Sequence, residues 1–242
     1  MRMILLKSSK LLVIGVALLI IAAGQVLATD KESPQPDLFQ TRHQAGIRIG
    51  VWSNQGDLPP SAGDIVDGDP PVITGSFKTN IHSSSAYVEA YFGYRLSSRL
   101  IGEVSLGSVN RGSVTLSDAA GASDVGNLII YPILVQLKLY TPTLPGTRLY
   151  PYLMAGGGLH YGRRNVQFTN SQISYANWQE ETATDFNYVL GGGFDWPIAG
   201  SVGLDFTVKY MPINMSLVVI DEYDALAFTV GVKYLYSPKN GN

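Results

Sequence analysis

Nine ionisable side chains carry whatever chemistry this sequence can do: Arg48, Glu89, Arg95, Glu103, Lys138, Asp195, Asp205, Lys209 and Lys233. Each interrupts an apolar run at an alternate position, so all nine fall on one side of extended segments. Five cations and four anions, diluted by glycine, serine, threonine and alanine, are too few to make a water-facing exterior. Crowded into a narrow enclosure they can pair with one another, the condition under which buried charge is tolerated. The expectation is a lumen charge network of these nine residues. A second set, Leu128, Ile130, Leu134, Met211, Ile213, Met215 and Leu217, shares that parity toward one end of the segments. It would form an apolar mouth above the ions, and methionine suits promiscuous apolar contact because it is flexible and polarizable. The same residues would equally serve as a plug, since narrow barrels fill their interiors with side chains.

Other chemistries find less support. An activated serine or water needs a histidine oriented by a carboxylate, and the chain has only His43, His82 and His160. His43 precedes the first segment, and His82 stands beside Ser83, Ser84 and Ser85. His160 faces inward but is followed by Tyr161 and Gly162, so it reads as a lumen histidine and the chain as no enzyme. Asp64, Asp67 and Asp69 lie among Gly63, Gly68, Pro70 and Pro71, a spacing unlike a calcium-binding EF-hand loop. They are expected to be a solvated acidic loop. With no phosphate-binding glycine loop, no HExxH and no cysteine, no cofactor and no metal are expected. A net charge of −2 argues against nucleic acid as a partner. Arg111, Arg163 and Arg164 lie just past the segments, where they could meet lipopolysaccharide phosphates.

The elements that must position these residues are eight alternating runs, at 45–52, 85–95, 100–109, 128–140, 149–162, 186–196, 202–211 and 224–236. Period-two alternation marks strands, and about 9–11 residues is the length of a tilted strand crossing a bilayer. Short connections at 96–99, 141–147 and 197–201 alternate with long ones at 53–84, 110–127, 163–185 and 212–223. All short turns therefore fall at one end, as in outer-membrane barrels. The aromatics of the apolar face gather toward the strand ends, as interfacial girdles do. Tyr131, Tyr161, Phe186, Tyr188 and Tyr210 would sit near the long-loop rim. Phe92, Tyr94, Phe194, Trp196, Tyr234 and Tyr236 would sit near the short-turn rim. The fold expected is all-β, an eight-stranded antiparallel up-and-down transmembrane β-barrel whose apolar face meets the lipid bilayer.

The flanks agree with export. Arg2, Lys7 and Lys10 precede an apolar run at 11–23, and Val26-Leu27-Ala28 has the small residues of a cleavage site. That run is shorter than the roughly 20 residues of a membrane helix. Residues 1–28 are read as a signal peptide, 29–43 as a flexible leader, 44–236 as the barrel and 237–242 as a tail. Charged residues make up 15% of the chain, against about 25% in soluble domains, which fits a wall in contact with lipid. The location implied is the outer membrane of a Gram-negative bacterium.

Tyr131-Pro132-Ile133-Leu134-Val135-Gln136-Leu137-Lys138-Leu139-Tyr140 and Tyr150-Pro151-Tyr152-Leu153-Met154-Ala155-Gly156-Gly157-Gly158-Leu159-His160-Tyr161 resemble segments of the OmpW family of small outer-membrane barrels. So do Gly192-Gly193-Phe194-Asp195 through Val208-Lys209-Tyr210-Met211, and Phe228-Thr229-Val230-Gly231-Val232-Lys233-Tyr234. The resemblance covers roughly the C-terminal half. It implies a non-enzymatic barrel with an apolar upper lumen, acting as a narrow channel or binding barrel for small hydrophobic molecules. The alternative is a closed structural or adhesive barrel whose external loops bind partners; a lipid-modifying barrel enzyme is a third reading.

Overall fold

Eight antiparallel strands close on themselves because the first and the last pair along their whole length, from His43↔Tyr236 to Gln55↔Asp224. The structure, a computed structural model, describes residues 42–55, 61–67, 72–118, 121–142, 148–166, 180–213 and 223–237. Its strands are β1 (His43–Gln55), β2 (Ser61–Asp67), β3 (Val72–Ile81), β4 (Ser84–Arg95), β5 (Leu100–Asp118), β6 (Gly121–Tyr140), β7 (Tyr150–Val166), β8 (Glu180–Ala199), β9 (Val202–Ile213) and β10 (Tyr223–Tyr236). The wall runs β1-β4-β5-β6-β7-β8-β9-β10 and returns to β1, with β2 and β3 outside the ring. Closure pairs backbone groups that hydrocarbon could not solvate.

Alternation sorts the side chains. Ile47 and Ile49 are 59% and 62% exposed, whereas Arg48 between them is 0% exposed. Val104, Val135, Phe228 and Val232 repeat the outward apolar pattern on β5, β6 and β10. An apolar band around a closed wall with ions inside is the arrangement of a membrane barrel. Tyr131 stacks near Tyr161 and Phe92 tilts against Tyr236 at opposite rims, with ring centroids 6.3 and 6.1 Å apart.

The strands outrun the sequence expectation on the long-loop side. Segment 110–127, expected as a loop, is mostly paired strand: β5 and β6 run up to Asp118↔Gly121 through two register shifts. The extra length of β5 beyond Val109 is roughly 30 Å at about 3.3 Å per residue. The first long connection likewise holds the β2–β3 hairpin, whose β3 pairs with β5 from Gly75↔Asp118 to Ile81↔Gly112. Asp64 and Asp67 thus lie on β2 rather than in an irregular loop, and Asp69 is outside the described residues. A four-stranded sheet, β2-β3-β5-β6, therefore stands beyond the apolar band.

At the opposite end His43, expected in the leader, opens β1. Its ring stacks on Tyr94 at 4.4 Å and tilts against Tyr236 at 5.6 Å, and its Nδ1 accepts the Arg95 backbone N–H at 3.0 Å. The expected export signal, most of the leader and most of the tail lie outside the described residues.

Candidate functional site

The lumen is stacked in three layers, and the middle one is ionic. Arg48 of β1 is its hub. Its Nη1 donates to Glu89 and, at 2.8 Å, to Glu103, while Nη2 reaches Glu103 at 3.0 Å and Asp205 at 2.9 Å. Nε donates to the other Asp205 oxygen at 3.1 Å, so every guanidinium edge is engaged. The same group lies 3.6 Å from the centroid of the Tyr91 ring. Lys138 bridges Asp205 at 3.1 Å and Glu103 at 3.2 Å. Lys209 holds both Glu89 oxygens, at 2.7 and 2.6 Å, and Lys233 pairs with Asp195.

Register explains why these groups meet. Arg48 and Glu89 are direct cross-strand partners. Asp195 and Asp205 also face one another directly, a like-charge pair that would repel without Lys233 on one side and Arg48 and Lys138 on the other. Eight of the nine expected charges come together, four of each sign and all without solvent exposure. Arg95 does not join them. It sits at the β4–β5 turn, where Nη1 donates to the Ser97 and Ser98 carbonyls at 2.7 Å, because the strand ends there and the turn backbone is nearer than the waist.

Sequence reading missed the tyrosines that complete the layer. Tyr87 donates to Glu89 at 2.6 Å, Tyr91 and Tyr152 donate to Asp205 at 3.2 and 3.1 Å, and Tyr140 donates to Asp195. The available signal was parity: each shares the inward side with the charges. Two inward glycines make room. A Cβ at Gly107 would lie 2.6 Å from the Tyr87 ring, and one at Gly46 would lie 2.8 Å from the Tyr91 ring. Gly107→Ala should therefore cost about 1–3 kcal/mol by overpacking, because Tyr87 is buried and has nowhere to go. The urea midpoint of the barrel refolded into lipid vesicles measures this; an unmoved midpoint would mean that the ring is not held.

Above the ions lies an apolar layer. Leu128, Ile130, Leu134, Met211 and Ile213 do come together there, joined by Trp52, Tyr87, Val109, Val189, Ala225 and Ala227. They are packed against each other rather than lining an open vestibule, because the narrow bore lets side chains from opposite walls meet. Met215 and Leu217 lie outside the described residues. Below the ions, Ile101, Tyr140, Tyr150, Tyr152, Met154 and Leu235 form a floor that the sequence reading did not identify.

One seam of the wall is split beside the apolar layer. The β8–β9 ladder runs from Ala199↔Val202 up to Leu190↔Tyr210 and ends there. Higher residues of β8 continue to pair with β7 as far as Glu180, and Met211–Ile213 of β9 pair with β10. Val189 on one bank and Met211 and Ile213 on the other point into the apolar layer. Outside, Tyr188 and Tyr210 tilt together across the seam with centroids 6.4 Å apart, and the Tyr210 hydroxyl reaches Tyr188 and Asp224. Just below this point the lipid-facing wall carries an apolar depression of about 850 Å³, lined by Leu153, Leu190, Gly192, Val208, Tyr210 and Phe228 among others. A smaller interruption occurs in β6. Pro132, which has no N–H, and Tyr131 are skipped by the β5–β6 ladder, although pairing resumes at Val109↔Ile130.

The remaining expected residues separate. Arg111 is buried and donates to Ser85 Oγ at 3.1 Å and the His82 carbonyl at 2.8 Å. Arg164 also turns inward, so of the three arginines only Arg163 is exposed at the rim. Parity is the reason: Arg163 continues the outward side of β7, and Arg164 continues the inward side. His160 is buried, and among the described residues neither ring nitrogen bonds a serine or a carboxylate.

No protein-family model matches the chain, and no curated protein matches its sequence. Some solved structures are similar to it. Neisserial surface protein A is 13% identical, over 81% of this chain and 97% of that one, with a TM-score of 0.48. The outer membrane protein OprG from Pseudomonas aeruginosa is 15% identical, over 81% and 97%, with a TM-score of 0.48. The outer membrane protein AlkL, solved in lipid bilayers, is 15% identical over 88% and 97%, with a TM-score of 0.47.

Proposed function

We propose that this is an outer-membrane barrel that admits small hydrophobic molecules into its upper lumen and releases them sideways into the bilayer between β8 and β9. The observation that carries this is the juxtaposition of a sealed ionic waist, an apolar layer directly above it, and a ladder that ends at Leu190↔Tyr210 beside that layer. A solute cannot cross a layer of desolvated, mutually paired ions without separating them, whereas the seam offers it Val189, Met211 and Ile213 inside and the Tyr188 and Tyr210 rings outside. The depression below Tyr210 then gives it an apolar surface continuous with the acyl chains. The resemblance to the OmpW family points the same way. Nothing in this scheme needs catalysis, a metal or a cofactor. Lipopolysaccharide contact falls to Arg163, the outward arginine at the rim.

The test uses the absence of native cysteine. Val189→Cys with Met211→Cys places one thiol on each bank at the next register step above Leu190↔Tyr210. Oxidation should cut uptake of a lipophilic fluorophore by cells making the double variant at least fivefold, and reduction should restore it. Uptake that is equal in the oxidised and reduced forms would overturn the lateral route.

A second reading has an observation of its own: the described apolar side chains of the upper lumen are buried against one another, while the β2-β3-β5-β6 sheet stands clear of the apolar band. In that reading the barrel is an inert anchor and the sheet binds partners. Wild-type protein that moves no fluorophore at all would favour it.

A further inference from the structure

Among the described residues, three nitrogen atoms inside the apolar upper layer have no hydrogen-bond partner: Trp52 Nε1 and both ring nitrogens of His160. Both side chains are completely buried, and their rings meet edge to face with centroids 6.5 Å apart. Their polar neighbours are engaged elsewhere. Tyr87, edge-on to Trp52 at 5.3 Å, gives its hydroxyl to Glu89, and Asp185, opposite His160 in the ladder, accepts from Asn187. A buried polar atom left without a partner destabilises the fold, and native interiors hold few of them. Three on two touching side chains mark a place where a polar group is missing. A purely hydrocarbon guest would leave all three as they are.

We propose that Trp52 and His160 form a binding site for the hydroxyl head of a small apolar alcohol, a deepening that rests on the reading of the upper lumen as a hydrophobic binding chamber. The complementarity is specific. The indole N–H can only donate, while a neutral imidazole offers one donor and one acceptor. A hydroxyl oxygen accepts from the indole N–H and its O–H donates to the unprotonated imidazole nitrogen, so two of the three nitrogens gain a partner. The alkyl tail then lies among Ile130, Leu134, Val189 and Met211, which belong to the same packed layer as Trp52. Met211 is the side chain best able to yield, being unbranched and flexible, and it stands at the β8–β9 seam.

The experiment compares 1-octanol with n-octane, two probes of equal chain length, on the full barrel in lipid nanodiscs. Protein-free nanodiscs correct for partition into lipid. Nitrogen NMR of tryptophan- and histidine-labelled protein reads the Trp52 indole and the His160 ring. Octanol should shift both signals and bind at least tenfold more tightly than octane. Trp52→Phe should reduce octanol to the affinity of octane. Equal binding of the two probes, with the indole signal unmoved, would overturn the hydroxyl site while leaving the hydrophobic chamber intact. An indole signal held by a water that octanol does not displace would also overturn the site. Binding of neither probe would overturn the chamber and the site together. Should Trp52→Phe fail to fold, judged by heat-modifiable gel migration, the wild-type shifts decide alone.

Discussion

Arg48→Met should lower the stability of the barrel by about 3–5 kcal/mol, the cost of removing one partner from a buried ion pair. Methionine can fill much of the volume, so the loss is electrostatic rather than a cavity effect. As cationic partners, the three carboxylates that share the guanidinium would keep only Lys209 on Glu89 and Lys138 on Glu103 and Asp205. The waist would then hold one more anion than cation, with every one of its side chains shielded from solvent. For a fold of ordinary stability, about 5–15 kcal/mol, such a loss removes a large share of the margin. Urea titration of refolding into vesicles, followed by heat-modifiable gel migration, measures it. Arg48→Lys should fall between the two, since an ammonium keeps the charge but not the planar fork that engages Glu103 and Asp205 together. High salt should not reproduce the effect, because buried pairs are little screened. A midpoint unchanged by Arg48→Met would mean that the waist is hydrated and that its ions do not depend on one another.

Val135→Arg should destabilise the barrel in membranes by about 2–4 kcal/mol, the cost of a cation on the lipid face at the midplane of a barrel. Val135 is 61% exposed in the middle of the outward row of β6, between Ile133 and Leu137. On a water-facing surface the same replacement would be nearly neutral, as most surface changes are. The vesicle refolding assay therefore distinguishes the two solvents at a single position. Matched stability of Val135→Arg and wild type would overturn the assignment of the exposed apolar face to lipid.

The eight wall strands were readable in the sequence because lipid sharpens alternation. Ile47, Ile49 and Val51 must be apolar, while Arg48 and Trp52 between and beside them answer to a different environment. The parity that sorted them also sorted Glu89, Glu103 and Asp205 to the inside. Beyond the bilayer that contrast disappears. In β5 above Val109 and β6 below Leu128, serine, threonine, asparagine and aspartate stand on both faces, so hydrophobic period carries no signal although the backbone pairs. The β2–β3 hairpin was hidden for the same reason. Parity gives a side without a depth, which is why the pattern groups Arg95 with the waist although its strand ends at the turn. The closing of the upper lumen and the end of the β8–β9 ladder depend on how distant strands are staggered, and no local pattern encodes stagger.

The pairing of β1 with β10 also bears on biogenesis. A growing chain that has emitted every strand but the last presents two unsatisfied borders, one on β1 and one on β9, and neither can enter hydrocarbon alone. Both borders are satisfied in lipid only once the last strand stands between them. The His43 ring, stacked on Tyr94 and tilted against Tyr236, lies across that join.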